Sequence, residues 1–265
     1  MSDAIFTLRR GQAPLLVSLP HVGTVIPDDL CGQFVPRALQ VEDTDWHLDR
    51  LYDFVHGMGA SLIAPRNSRY VIDLNRPPDN TPMYAGANNT ELCPVHFFTG
   101  DALYRNGTVP DNEEIAHRRA TYWRPYHHAL QAELARLRAV HGHAVLFDGH
   151  SIRSVVPWLF EGQLPDLNLG TANGTSCAPG LRNSLTHILE SQTSFTHVVD
   201  GRFAGGYITR HYGQPAEGTH AVQLEMGQRC YMNEDAPYAL DTQRTAELIP
   251  VLRALLETMV DWRPA

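Results

Sequence analysis

Residues 144–153 read AVLFDGHSIR, an apolar run that ends in Asp148, His150, Ser151 and Arg153. A buried strand that stops in four polar groups has a plain physical reading. In α/β proteins the strand ends carry the reactive side chains, because the sheet is rigid and the following loop is free to vary. This stretch therefore predicts an α/β fold with chemistry at one sheet edge. Two tests follow: whether strands and helices alternate on either side of it, and whether the chain supplies partners for His150.

Before it, residues 14–20 form a short apolar strand stopped by Pro20, with His21, Val22 and Gly23 at its end. Residues 44–55 read as an amphipathic helix, with Thr44 as N-cap and Leu48, Leu51, Tyr52 and Val55 at helical spacing. Segments 61–64 and 69–73 look like two strands joined by a short turn. Residues 113–140 form the longest helical pattern, which Pro125 should kink or divide. After it come a helix over 181–191, a strand over 197–199, a strand over 220–226 that carries Glu225, and a closing helix over 242–260 that Pro250 should interrupt. Residues 77–107 and 157–180 read as long loops, a length that often signals function. The glycine-rich segment 201–213, GRFAGGYITRHYG, suggests backbone close to a ligand but lacks the lysine and spacing of a phosphate loop. The alternation predicts one domain over 1–265, a three-layer α/β sandwich around a central mixed, largely parallel sheet. In such a sheet the polar groups at His21, at His150 and at the Asp73–Arg76 corner converge on one edge.

Composition narrows the chemistry. The 265 residues are 43% hydrophobic and carry a formal net charge of -8, which argues against nucleic acid as a partner. All 21 basic residues are arginine, so a Schiff-base lysine, a Walker lysine and a lysine base are excluded. An anionic substrate must be gripped by arginine, whose planar fork suits carboxylates. The four cysteines form no C-x-x-C pair, which argues against a cysteine zinc site or a dense disulfide framework. No apolar h-region opens the chain and no apolar run approaches the ~20 residues that span a bilayer, so a soluble cytoplasmic protein is expected. His47, His127 and His128 sit among helix-like residues and read as ordinary surface or packing groups.

His21 and His150 each follow an apolar strand, and imidazole is the commonest neutral metal ligand. A catalytic zinc takes three protein ligands and keeps one position open. The third ligand should be a carboxylate from VEDTDW at 41–46. Asp45 is favoured because it would point inward with Leu48 and Tyr52, while Glu42 and Asp43 stay open. Glu225, at the end of an apolar strand, is costly to bury unless used or paired. It reads as the general base, or as a paired surface group. Asn75 and Arg76 suit a substrate carboxylate, by amide and fork together. Arg69 suits an oxyanion. Arg153, Arg202 and Arg210 are further carboxylate-binding candidates.

These motifs together, PHVG at 20–23, DTDWHLDRLY at 43–52, SRYVIDLNRP at 68–77, FDGHSIRS at 147–154, GRFAGGYITRHYG at 201–213 and QLEMGQR at 223–229, resemble the N-formylglutamate amidohydrolase family over nearly the whole chain. The resemblance implies a zinc enzyme, one ion per chain with other divalent metals acceptable, that cuts N-formyl-L-glutamate to formate and L-glutamate as the last step of a histidine degradation route. The carry-over falls on His21 and His150 as ligands, Asn75 and Arg76 at the substrate carboxylate and Glu225 as base; in the mechanism that follows, Arg69 holds the oxyanion, and Asp148 and Ser151 support the ligands or the substrate. The family is more distantly similar to zinc carboxypeptidases and aspartoacylases, which place a glutamate three residues after the first histidine. Here that position is Thr24, so the ligand carboxylate must come from elsewhere. Two alternatives stay open: an amidohydrolase for another N-acyl amino acid, and a metal-free carboxylate-binding protein. Serine hydrolysis is disfavoured, because Ser151 lacks the G-x-S-x-G elbow.

Overall fold

The computed structural model describes residues 4–83 and 88–264. Its strands are β1 (Phe6–Arg9), β2 (Leu15–Ser18), β3 (Ser61–Pro65), β4 (Ala144–Ile152), β5 (Leu167–Gly170), β6 (His197–Val199) and β7 (Thr219–Gly227). They form one sheet in the order β1-β3-β2-β4-β7-β5-β6. The central four, β3-β2-β4-β7, run parallel. β1 is antiparallel to β3 and β5 is antiparallel to β7, while β6 runs parallel to β5. The sheet is thus mixed and largely parallel, as expected.

Every residue of β4 and β7 is buried, because helices cover both faces. Side chains alternate along a strand, so each strand feeds two cores. Val145, Phe147, Val222, Leu224 and Met226 pack against leucines of the helices Pro179–Ser191 and Thr242–Asp261. Ala144, Leu146 and Ala221 pack against Tyr126, Leu130, Leu134 and Leu137 of the helix Arg124–His141. Each fully buried leucine is worth roughly 1.5–3 kcal/mol in transfer terms, so these stripes set which face of each strand points where. On the second face the stripe then changes character. Beyond Leu146 it continues as Asp148 and His150, and beyond Ala221 as Gln223 and Glu225. The register pairs Asp148 with Gln223 and His150 with Glu225. Gly149, between the two polar residues, has no room for a side chain: a Cβ there would meet Leu19 Cδ2 at 2.8 Å.

Several local expectations change in three dimensions. β4 runs on to Ile152, so His150 lies inside the strand and not after it. Segment 69–73 is a buried turn, closed by Val71 N–H to the Ser68 carbonyl. Its apolar alternation arises because Tyr70 and Val71 enter one cluster while Ile72 and Leu74 enter another. Helix within 44–55 is confined to Leu48–Leu51, followed by a 3-10 segment at Asp53–Met58. Asp45 lies before it, in a turn where its N–H bonds the His21 carbonyl. Pro125 opens the helix Arg124–His141, and a π segment at Arg119–Trp123 absorbs its missing N–H. Pro250 leaves the helix Thr242–Asp261 unbroken, since buried Leu248, Leu252, Leu255 and Leu256 hold it to the sheet on both sides of the proline. The loop expected at 157–180 contains β5, and the one at 201–213 contains the short helix Tyr207–Tyr212. Residues 84–87 of the long loop at 77–107 lie outside the described residues; its later part is anchored by buried Phe97, Leu103 and Tyr104. No helix among the described residues is long and apolar enough to cross a membrane.

Candidate active site

The polar half of the β4–β7 face opens into a cavity of about 50 Å³, walled by His21, Asp45, Arg69, His150 and Glu225, with Phe98, Leu159 and Phe203 on its apolar side. Three potential ligand atoms converge there. His21 Nδ1 and His150 Nδ1 are 3.2 Å apart, and Asp45 Oδ2 lies 3.6 Å from the first and 3.3 Å from the second. For metal bonds of ~2.0–2.1 Å, a tetrahedral site needs ligand edges of roughly 3.4 Å. The other nitrogens face carboxylates. His21 Nε2 is 2.7 Å from Asp73 Oδ1, and His150 Nε2 is 3.0 Å from Asp148 Oδ2. With Nε2–H donated to those acids, both Nδ1 lone pairs point at each other and at the Asp45 carboxylate. Such an arrangement calls for a cation. Asp45 Oδ1 is buried with no hydrogen-bond partner among the described residues, and Arg69 NH1 lies 3.7 Å from it as an ion-pair partner. The donor set suits a divalent metal with nitrogen and oxygen ligands.

The turn at 43–46 shows why only one of three acids joins the triad. Glu42 pairs with Arg37. Asp43 turns the other way, accepting Tyr70 O–H at 2.8 Å and Phe98 N–H at 3.0 Å. Asp45 Oδ2 accepts Ser151 N–H at 3.1 Å, so β4 itself steers this carboxylate. Ser151 Oγ meets Tyr231 Oη at 2.7 Å.

Electrostatics follow burial and pairing. Burial alone would raise the Asp45 carboxyl, yet His21 and His150 beside it hold it well below the usual carboxylate range. Burial likewise opposes charge on His150, but Asp148 and then Asp45 outweigh it and raise this imidazole well above the ordinary value. Among the described residues Glu225 has no such partner in hydrogen-bond contact. Burial pushes its carboxyl up to about 8, with His150 pulling the other way. Glu225 is therefore a buried acid on the cavity wall, not a surface-paired glutamate.

Arg69 is buried and its charge is kept, because Asp73 and Asp45 outweigh the desolvation cost. Its NH2 donates to Asp73 Oδ2 at 2.7 Å, and its guanidinium lies 4.7 Å from the centre of the Phe98 ring. Arg76 also lines the cavity, fixed by Thr90 Oγ1 at 2.7 Å and by the Asn75 carbonyl at 3.0 Å. The Asn75 oxygen accepts Ile208 N–H at 2.8 Å, and its amide nitrogen lies 3.0 Å from His150 Nε2, which as an N–H donor to Asp148 offers it no lone pair. The remaining arginine candidates stand outside the cavity wall. Arg153 pairs with Asp235, Arg202 donates to the Leu159 carbonyl, and Arg210 donates to the Gly205 carbonyl.

Two polar side chains of the site carry no role in the sequence reading. Asp73 bridges His21 and Arg69 through its two oxygens; its i,i+4 spacing from Arg69 was the visible signal. Gln223 lines the cavity two residues before Glu225, on the same face of β7.

The family model for N-formylglutamate amidohydrolase matches residues 13–232. Relatives named N-formylglutamate deformylase, from Pseudomonas aeruginosa and Pseudomonas putida, are 48% and 46% identical over 260 residues, covering 98% of this chain and 97% of theirs. The crystal structure of an N-formylglutamate amidohydrolase from Ralstonia eutropha superposes with a TM-score of 0.81 at 25% identity, over 97% of this chain and 96% of that one. A gene product from Agrobacterium tumefaciens shares the fold, with a TM-score of 0.74 at 18% identity over 96% of this chain and 94% of that one. Fold and sequence agree, and the chain belongs to the N-formylglutamate amidohydrolase family.

Proposed function

We propose that this chain hydrolyses N-formyl-L-glutamate to formate and L-glutamate with one divalent metal ion, zinc in the first instance, as a late step of histidine degradation. The observation that carries the reading is the convergence of three lone-pair donors, 3.2–3.6 Å apart, beside the buried Glu225 carboxyl. His21, Asp45 and His150 would hold the ion, which when bound would supply a Lewis acid and make water a stronger nucleophile.

The protein's own groups do the rest. Glu225, buried on the cavity wall beside the triad, is placed to exchange a proton there. It takes a proton from the attacking water and returns it to the glutamate nitrogen as the C–N bond breaks. The water oxygen stays on the formyl carbon and leaves in formate. Arg69 donates to the formyl oxygen as negative charge builds there. Asp73 and Asp148 hold the two imidazoles in one orientation, a constraint that raises their value as ligands. Arg76 grips a substrate carboxylate.

The test is formate release from N-formyl-L-glutamate by purified protein, with and without a chelator, alongside bound-metal analysis. Chelator-sensitive turnover with about one metal per chain is expected. Metal without turnover would redirect the site to another N-acyl amino acid. Neither metal nor turnover, even after zinc is restored, would leave a binding role.

A further inference from the structure

We propose that Gln223 is a specificity-determining residue, whose side-chain NH2 donates to a carboxylate oxygen of the substrate. Gln223 is 2% exposed and lines the cavity. One end of its amide is fixed: Oε1 accepts Gly206 N–H at 2.7 Å. That bond sets the flip of the amide and turns the NH2 away from Gly206. The NH2 makes no hydrogen bond to another described residue, nor is it among the buried polar atoms sealed without a partner. What exposure it keeps therefore opens onto the cavity. A donor that opens onto the cavity with its other end fixed is oriented to serve an occupant there.

The neighbourhood indicates which occupant. Along the paired strands Gln223 lies one step past Glu225, opposite Asp148, on the same face as the triad. Gly206 presses against Asn75 so closely that a Cβ would sit 2.3 Å from Asn75 Nδ2. Gln223, Gly206 and Asn75 thus form one contiguous wall, and Arg76 follows Asn75 on the same cavity. A neutral donor beside an arginine suits an anionic oxygen: the arginine supplies charge and the amide supplies direction. An N-acyl amino acid with two carboxylates presents such an oxygen. This inference rests on the proposed N-formyl-L-glutamate hydrolysis.

The experiment compares the metal-loaded wild type with Gln223→Met on three compounds: N-formyl-L-glutamate, N-formyl-L-glutamine and N-formyl-L-isoglutamine. Wild-type formate release is read first and judges the underlying reaction by itself. Losing a hydrogen bond to a charged oxygen should lower kcat/KM roughly ten- to hundredfold, mainly through KM, and losing one to a neutral amide by about tenfold at most. The variant should keep its metal. It should lose most on N-formyl-L-glutamate and clearly less on one of the two amides, and that amide identifies the carboxylate that Gln223 reads. An equal loss on all three compounds would assign Gln223 only to holding Gly206 and overturn the proposal, as would no loss at all. A second measurement needs neither the variant nor turnover. The side-chain NH2 resonances of Gln223 in metal-loaded wild type should shift when L-glutamate saturates the site, and unmoved resonances overturn the proposal.

Discussion

Two kinds of buried histidine sit in this molecule at nearly the same depth. His21 and His150 are 3% and 2% exposed, and His127 is 3% exposed. His127 is stacked on Trp123 with ring centres 3.7 Å apart, and its nitrogens meet the Leu74 carbonyl and the Tyr212 hydroxyl. Burial drives its pKa down to about 3. His150 experiences the same burial, yet Asp148 and Asp45 raise it well above the ordinary value. Depth is therefore not what distinguishes a reactive imidazole from a packing one. The partner of the second nitrogen decides: a carbonyl and an aromatic hydroxyl leave a neutral ring, whereas a carboxylate creates a demand for a cation.

The largest expected effect separates the two kinds directly. His150→Ala should lose bound metal and roughly ten-thousandfold or more in kcat/KM, since both the Lewis acid and the activated water go with it. His127→Ala should keep the metal and lower only the melting temperature. Metal analysis of both variants breaks the comparison if the His127 variant also comes out empty. Next is Glu225→Gln, which removes the proposed base from the cavity wall. Turnover should fall roughly a thousandfold while metal content stays at the wild-type level. Retained activity would remove Glu225 from the role of base.

A smaller effect sharpens the role of the second nitrogen. Asp148→Asn replaces the carboxylate that backs His150 with a neutral amide. Metal affinity, measured by competition with a chromogenic chelator, should weaken roughly ten- to hundredfold. An unchanged affinity would show that the carboxylate partner is not what prepares the ring. The smallest effect concerns stability. His127 has a folded pKa lowered to about 3 from the ordinary 6.5, so its contribution is fully present above pH 6.5 and is lost as pH falls toward 3. The unfolded chain binds the extra proton in that window. Urea unfolding between pH 6.5 and 4 should therefore show wild type losing up to about 1.4 kcal/mol per pH unit more than His127→Gln. Parallel slopes would mean that the ring is not held neutral.

The alternation of strands and helices was readable because apolar stripes have to be buried, and their period reports the element. It misled where a loop is itself buried. Tyr70, Val71 and Ile72 imitate a strand because they feed two cores from one turn. His21, His150 and Glu225 were legible for a related reason: each is a polar group at the end of an apolar strand, a position that is costly unless used. The arginines show the opposite case. Arg69 and Arg76 reach the cavity, while Arg153, Arg202 and Arg210 do not. A long flexible side chain takes its partner from loop packing, and residue spacing does not encode that.

By itself, then, the amino-acid order determined the α/β class, the absence of lysine chemistry and the strand-borne polar groups, because these depend on periodicity and composition alone. Only the tertiary structure decided among Glu42, Asp43 and Asp45, since neighbours in a turn point in different directions: to Arg37, to Tyr70 and Phe98, and to the histidines. It also decided that Asp73 links His21 to Arg69 and that Gln223 faces the cavity. Those roles arise from register and parity between strands and turns far apart in the chain, a relation that exists only once the sheet is assembled.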